Sequence, residues 1–334
     1  MKDRTVISYN HHMGISVTAV IDIGGSKIAY GLLSHTDDLV PIIHYQNKEP
    51  FKKGISALQS SIRHICHDIQ VWASNHKIII NPTIIVGSAG NFKPNSAIIL
   101  PGTAINLGKT PDEFDHIDMS KLVTESCDYQ FNCLVFNDAV LQLAGAVIDV
   151  TQQKIALLDK KIAYIGPGTG LGGAFARHTK SGLKVMTDGH IFDMQLKDPQ
   201  GNSVMAEDVF SGRGFYQRYK VSLKDINQSK DLFADYQEEV KQLGDYLAQI
   251  MIHIYQGKFK KLSPYLWDKS DYEQIKETTC FMIGGSIGSK GKIAQVICDI
   301  AAQNFKMHTT KSALIVKVPN TIHAALKGGW VMGY

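Results

Sequence analysis

Apolar positions recur along this chain in two rhythms, and the changes of rhythm fall at glycines, prolines and asparagines. "VTAVIDIGGSKIAYGLLS" (17–34) carries two β-branched, apolar runs on either side of Gly-Gly-Ser, which predicts a β-hairpin. Ile55, Leu58, Ile62, Ile65, Ile69 and Trp72 follow at spacings of three and four, the stripe of an amphipathic helix. "KIIINPTIIVG" (77–87) returns to strand material, which Asn81-Pro82 is expected to break. Residues 87–117 read as loop, "CLVF" (133–136) as a short buried strand and "DAVLQLAGAVIDV" (138–150) as a helix.

The second half repeats the pattern. A strand at 162–165 runs into "GPGTGLGG" (166–173), and Leu232, Tyr236, Val240, Leu243, Leu247 and Ile250 mark one face of a long helix. "CFMI" (280–283) is a strand, followed by "GGSIGSKG" and a helix carrying Ile293, Val296, Ile297 and Ile300. "ALIVKV" (313–318) is another strand, after which Asn320 is placed to cap a last helix. Strands alternating with helices predict an α/β protein with ligands at strand ends.

Composition narrows the class. The 334 residues, 44% of them hydrophobic, suffice for about two domains. The net charge of +4, from 35 basic and 31 acidic residues without a long basic run, argues against nucleic acid as a partner. Cys66, Cys127, Cys133, Cys280 and Cys298 form no CxxC pair, so reduced thiols in a cytoplasmic protein are expected rather than disulfides or a metal site. No stretch has the apolar length of a membrane span, and residues 1–16 lack the apolar centre of a signal peptide. Those residues, His11-His12 included, read as a flexible polar extension.

Three strand-to-glycine turns remain to be explained: "DIGGSK" (22–27), "GPGTGLGG" (166–173) and "IGGSIGSKG" (283–291). Glycine is costly to order, so such clusters mark a sharp turn or a close backbone approach, most often to a phosphate. None fits a Walker P-loop, and none opens a helix as a dinucleotide fingerprint does. Ser26 and Thr169 add hydroxyls that suit phosphate oxygens, and Asp22 supplies a carboxylate suited to magnesium.

In this order the turns resemble the sugar kinase, Hsp70 and actin superfamily, in which two such loops clasp nucleotide phosphates and a third lies against the adenosine. "FNDAVLQLAGA" (136–146) is similar to the strand-end Asn-Asp of bacterial glucokinases and the wider ROK family, whose aspartate takes the proton of the attacking sugar hydroxyl. "AEDVFSGRGF" (206–215) resembles their sugar-binding glutamate segment, "DGHIFD" (188–193) their Gly-His, and "VPNTIHAALKGGWVMG" (318–333) their closing helix.

The resemblance implies a two-domain actin-like ATPase (ribonuclease H-like) fold with an interdomain cleft. The small domain would span residues 17–137 and be completed by 319–334, with the large domain at 138–318. It implies ATP and Mg2+, a hexose held by Asn106, Asn137, Asp138, His190 and Glu207, and Asp138 as the base. Asp22, Gly24, Gly25, Ser26, Gly168, Thr169 and Gly170 would serve the phosphates, and Gly284, Gly285 and Ser286 the adenosine. A homodimer is in keeping with such relatives.

Two departures matter. Thr187 stands where the family has a glutamate three residues before His190, and Asp188 is one position out of register. The zinc-binding cysteine motif of many ROK proteins is absent, so no structural metal is expected, and the region before residue 17 holds no helix-turn-helix of a ROK repressor. The leading expectation is a glucokinase. A kinase for an N-acetylated amino sugar and a non-catalytic sugar or nucleotide sensor stand beside it, both motivated by Thr187.

Overall fold

The computed structural model describes residues 5–6, 16–25, 27–34, 41–46, 53–127, 131–186, 189–261, 267–288 and 291–333. Expectations placed on His11, His12, Ser26, Thr187 and Asp188 fall outside the described residues, and of Ser286 only the backbone is described. The chain forms two compact units, residues 1–148 with 322–334, and residues 149–321.

The first unit is built on β1 (Thr5–Val6), β2 (Ser16–Ile23), β3 (Ile28–Ser34), β4 (Pro41–Gln46), β5 (Ile79–Ser88) and β6 (Asn132–Asn137), in the order β1-β4-β3-β2-β5-β6. β2, β3 and β4 form an antiparallel meander, whereas β5 and β6 run parallel to β2 after crossover connections. Seven of the eight residues of β2 are buried, as both faces of a central strand require. Its alternation sends Ala19, Ile21 and Ile23 into one apolar layer with Leu58, Ile62 and Ile69 of helix Ile55–His76. Val20 points into the opposite layer, with Leu141 of helix Asp138–Gln152 and Ala325 and Leu326 of helix Thr321–Met332.

The second unit repeats the plan with β7 (Lys161–Pro167), β8 (Leu171–Thr179), β9 (Gly182–Val185), β12 (Cys280–Ile283) and β13 (Leu314–Lys317), in the order β13-β12-β7-β8-β9. β7, β8 and β9 are the antiparallel meander, and β12 and β13 are parallel to β7. A separate ribbon pairs β10 (Gln195–Lys197) with β11 (Ser203–Met205). Helices Gln237–Gln256 and Gly291–Thr309 pack against each other on the main sheet, and a Cβ at Gly244 would press on Ile300 at 2.7 Å.

Four expectations are corrected. Asn81-Pro82 does not end its strand: β5 runs through it, because the register skips from Val17↔Ile80 to Ala19↔Ile84 and the bulge absorbs the proline that cannot donate. The Asn81 side chain bridges the bulge, donating to Thr18 Oγ1 at 2.8 Å and accepting from Ser16 Oγ. The long helix through Leu232 and Ile250 is two helices, Lys230–Asp235 and Gln237–Gln256, divided at Tyr236 with ψ 24. Cys66 and Cys127 are joined as a disulfide, their Cα atoms 5.8 Å apart, since helix Ile55–His76 meets the end of helix Met119–Ser126. The polar N-terminal region contributes Thr5–Val6 to the sheet as an edge strand on β4.

The two helices of the Val20 layer touch backbone to backbone. A Cβ at Gly145 would collide with the Ala324 carbonyl, and one at Gly328 with that of Leu141. Gly145→Val is therefore expected to cost about 3 kcal/mol or more by overpacking, read as a lowered denaturation midpoint. A variant as stable as the parent would contradict this packing.

Candidate functional site

β2 and β6 flank β5 in parallel, so their C-terminal ends lie at the same edge of the first sheet. Asp22 sits opposite Gly87, and Asp138 follows Asn137, the residue opposite Ser88. The intervening glycine makes room: a Cβ at Gly87 would lie 3.3 Å from Asp22 Oδ1 and 2.8 Å from Leu141 Cδ1. Asp22 is 7% exposed, and its Oδ1 finds no hydrogen-bond donor among the described residues. Burial first, and the Asp138 charge second, raise the Asp22 carboxyl to about 8 against the opposing pull of Lys27. Asp138 is half-buried, and burial lifts it to about 6 against the Ala139 N–H, which donates to its Oδ1 at 2.9 Å. At neutral pH the pair holds one proton, and Asp22 is the carboxyl that carries it.

The neighbouring residues brace this pair. The Asn137 amide donates to Gly90 O at 2.7 Å and to Asn91 Oδ1 at 3.2 Å, while its Oδ1 accepts from Ala139 N at 2.9 Å. Both Asn137 donors are thereby spent on the fold, leaving only oxygen lone-pair capacity for a ligand. Asn91 is held in turn, its N–H donating to Thr103 Oγ1 at 3.0 Å. The first glycine turn closes with Gly24 N donating to Lys27 O at 3.0 Å, and a Cβ at Gly25 would lie 2.6 Å from Asn106 Cβ. Asp22, Gly24, Gly25, Asn106, Asn137 and Asp138 thus belong to one unit.

The second unit assembles the other expected residues. Gly168, Thr169 and Gly170 form the hairpin turn between β7 and β8, where Pro167 pairs with Leu171 and Gly168 N donates to Gly170 O at 2.9 Å. Two carbonyls of this turn accept from the segment that carries the predicted glutamate: Gly168 O from Gly212 N at 2.8 Å and Thr169 O from Arg213 N at 3.2 Å. Glu207, 8% exposed, accepts from Leu171 N at 2.9 Å with one oxygen and from the Arg213 guanidinium with the other. Its carboxyl is raised by burial and pulled back by the Leu171 N–H and Arg213. His190 is buried, with its ring edge-on to Phe192 at 5.6 Å, and Glu207 N donates to Phe192 O at 2.9 Å.

The third glycine turn meets the second. A Cβ at Gly284 would collide with Tyr164 Oη, and one at Gly285, whose φ is 67, with the Pro167 carbonyl. By contrast, a Cβ at Gly168 would meet nothing within 4 Å. Packing therefore accounts for Gly284 and Gly285, whereas no packing contact requires glycine at Gly168.

Residue-by-residue reading missed Asn91 and Arg213. Asn91 follows β5 at the edge that bears Asp22, and Arg213 lies inside the quoted "SGRG", so position and motif were both present as signals. Among the described residues no group of three His, Cys, Asp or Glu side chains is arranged to hold a metal ion. No helix of the described residues is long and apolar enough to cross a membrane.

No family profile matches the chain. An uncharacterised protein of Clostridium perfringens is 24% identical over 241 residues, 69% of this chain and 74% of that protein. Among solved structures, the ROK hexokinase from Thermus thermophilus superposes with a TM-score of 0.63 at 13% identity, covering 95% of this chain and 97% of that one. A ROK-family glucokinase from Streptomyces griseus, solved with glucose and AMPPNP, gives 0.63 at 15% identity over 95% and 98%. A Listeria monocytogenes protein described as a putative N-acetylmannosamine kinase gives 0.60 at 15% identity over 94% and 97%. The chain has the two-domain, actin-like fold of these sugar kinases.

The carboxylate pair makes a prediction about stability. A carboxyl raised on folding favours the native state fully below its unfolded value near 3.8, and that contribution is lost as pH rises through about 8. Without added divalent cation, Asp22→Asn should gain on the parent steadily between pH 4 and 8 and hold a constant lead above. Denaturant melts at pH 5, 7 and 9 check this, and a pH-independent difference would contradict the coupling.

Proposed function

We propose that this chain is an ATP-dependent hexose kinase with glucose as its acceptor. The observation that carries the proposal is Asp138: a half-buried carboxyl at a strand end, raised to about 6, hence ionised at neutral pH yet basic enough to take a proton. The sugar hydroxyl donates its hydrogen bond to Asp138 and attacks the γ-phosphorus of ATP. The new bond joins the sugar oxygen to phosphorus, the β,γ-bridging P–O bond breaks, ADP leaves, and the hydroxyl proton passes to Asp138 and then to solvent. Such a transfer asks for positioning and charge neutralisation more than covalent chemistry, which suits a site made of braced carboxylates and glycine turns.

Asn106, Asn137, His190 and Glu207 are assigned with Asp138 to the sugar on the family resemblance. For Asn137 the assignment is to its amide oxygen, because its N–H groups are already used. Gly24, Gly25, Ser26, Gly168, Thr169 and Gly170 are assigned to the phosphates, and Gly284, Gly285 and Ser286 to the adenosine. The residues fit Mg2+ as well: Asp22 offers a buried oxygen without a donor among the described residues, and the cation there would supply charge neutralisation for the phosphates. A cytoplasmic location and a homodimer complete the reading.

An N-acetylhexosamine acceptor is the second reading. Thr187 favours it, since a charged hydrogen bond to a sugar hydroxyl is worth roughly 1.5 to 3 kcal/mol and its loss alters which sugar is preferred.

ADP release from ATP and Mg2+ tests the proposal, with glucose, fructose, mannose, N-acetylglucosamine and N-acetylmannosamine as acceptors. Glucose-dependent turnover is expected, falling by about 10²–10⁴ in Asp138→Asn. A preference for an amino sugar would move the assignment to the second reading, and sugar binding without turnover would make the chain a sensor. In the parent, kcat/KM for the sugar should fall as pH drops through about 6, where Asp138 takes up its proton.

Gly168→Ala separates fold from phosphate contact. Nothing lies within 4 Å of the added methyl, so the melting point should stay near that of the parent while KM for ATP rises on the order of tenfold. An unchanged KM for ATP would remove Gly168 from the phosphate site.

A further inference from the structure

Residues 189–195 form a compact turn that carries His190, and a buried lysine from a distant part of the chain is threaded into it. Within the turn, Ile191 N donates to Gly189 O at 2.7 Å and Met194 N to Ile191 O at 3.1 Å. Lys261 lies 71 residues beyond His190, and its ammonium donates to the His190 carbonyl at 3.0 Å. It also lies 3.5 Å from Asp193 Oδ1, with both side chains fully buried, and 4.8 Å from the centroid of the Trp267 ring. Trp267 is itself fixed edge-on against Phe175, Phe259 and Tyr272. The backbones follow the side chains: Met194 bridges Lys261, and Gln195 N donates to Lys260 O at 2.8 Å.

Burying a lysine and an aspartate in a core is poor value as a stabilising device, since apolar side chains of similar volume usually do as well or better. What an apolar pair cannot do is hold a backbone carbonyl in one place. Here the carbonyl held is that of His190, and the same turn offers Phe192 O to Glu207 N at 2.9 Å and Met194 O to Ala206 N at 2.9 Å. One ammonium therefore sets the turn from which both His190 and the Glu207 backbone take their positions.

We infer that Lys261 and Asp193 are positioning residues for sugar recognition, acting through the His190 turn and through Glu207. The inference rests on the sugar-kinase reading for what is bound, but the bracing of the turn is measurable without it. The ammonium's hydrogen bond and ion pair both go to the His190 turn, so its removal should affect the sugar more than the nucleotide.

Two double variants test it. Lys261→Met/Asp193→Leu removes both charges at similar volume, and Lys261→Gln/Asp193→Asn keeps an N–H donor without the charge. The apolar pair should raise the sugar KM on the order of tenfold, and the polar pair about threefold, with kcat and the KM for ATP little changed. In both, amide hydrogen exchange should quicken at 189–195 and stay as in the parent across β7 and β8. Unchanged sugar KM with unchanged exchange at 189–195 would overturn the inference. If the apolar pair does not fold, the polar pair decides by the same two readings. If the parent shows no sugar-dependent turnover, the kinase reading fails by itself. Exchange then decides the bracing, with faster exchange confined to 189–195 upholding it and none refuting it.

Discussion

The first unit depends on how two carboxylates are brought to one edge of a parallel sheet with a glycine between them. Asp22 and Asp138 end strands on either side of β5, and any side chain at Gly87 would press on the space they use. Burial first, and the neighbouring Asp138 charge second, hold the proton on Asp22 at neutral pH. Asp138, half-buried, is left as the ionised partner, its basicity set by burial. The residues around them, Asn137 and Asn91 above all, spend their hydrogen bonds on holding this edge still.

The second unit solves a different problem with the same sheet plan. Its meander and two parallel strands repeat the first, so a glycine hairpin turn again leaves the strand that occupies the position of β2. There the turn is anchored from outside: Gly168 O and Thr169 O accept from the 212–213 backbone, and Leu171 N donates to Glu207. Hydrogen bonds link the glycine turn to the 212–213 backbone and to Glu207, and Glu207 N to the His190 turn.

Much of this was legible in the sequence. The apolar, β-branched runs on either side of Gly-Gly-Ser gave the β2–β3 hairpin, and the stripe from Leu58 to Ile69 gave a helix whose buried face includes those residues. The strand-end Asn-Asp was found where it was expected. Features that depend on partners distant in the chain were not legible. Pro82 sits inside a strand because the partner strand skips register, and Cys66 meets Cys127 because two helices cross. The glycines of 166–173 looked alike in sequence, yet Gly166 makes way for the Tyr164 ring, Gly173 for Gly189 and Ile191, and Gly168 for nothing in the protein. Nothing in the sequence singles out Lys261, since no local pattern marks a side chain that is buried against an aromatic ring from elsewhere.

The most direct measurement is a titration of the Asp22 carboxyl, followed by carbon-13 NMR in the parent and in Asp138→Asn without added divalent cation. The account predicts an Asp22 midpoint near 8 in the parent and a lower one in the variant, where the neighbouring charge is gone. A midpoint near 4 in both proteins would contradict it, since the two carboxyls would then not share a buried edge.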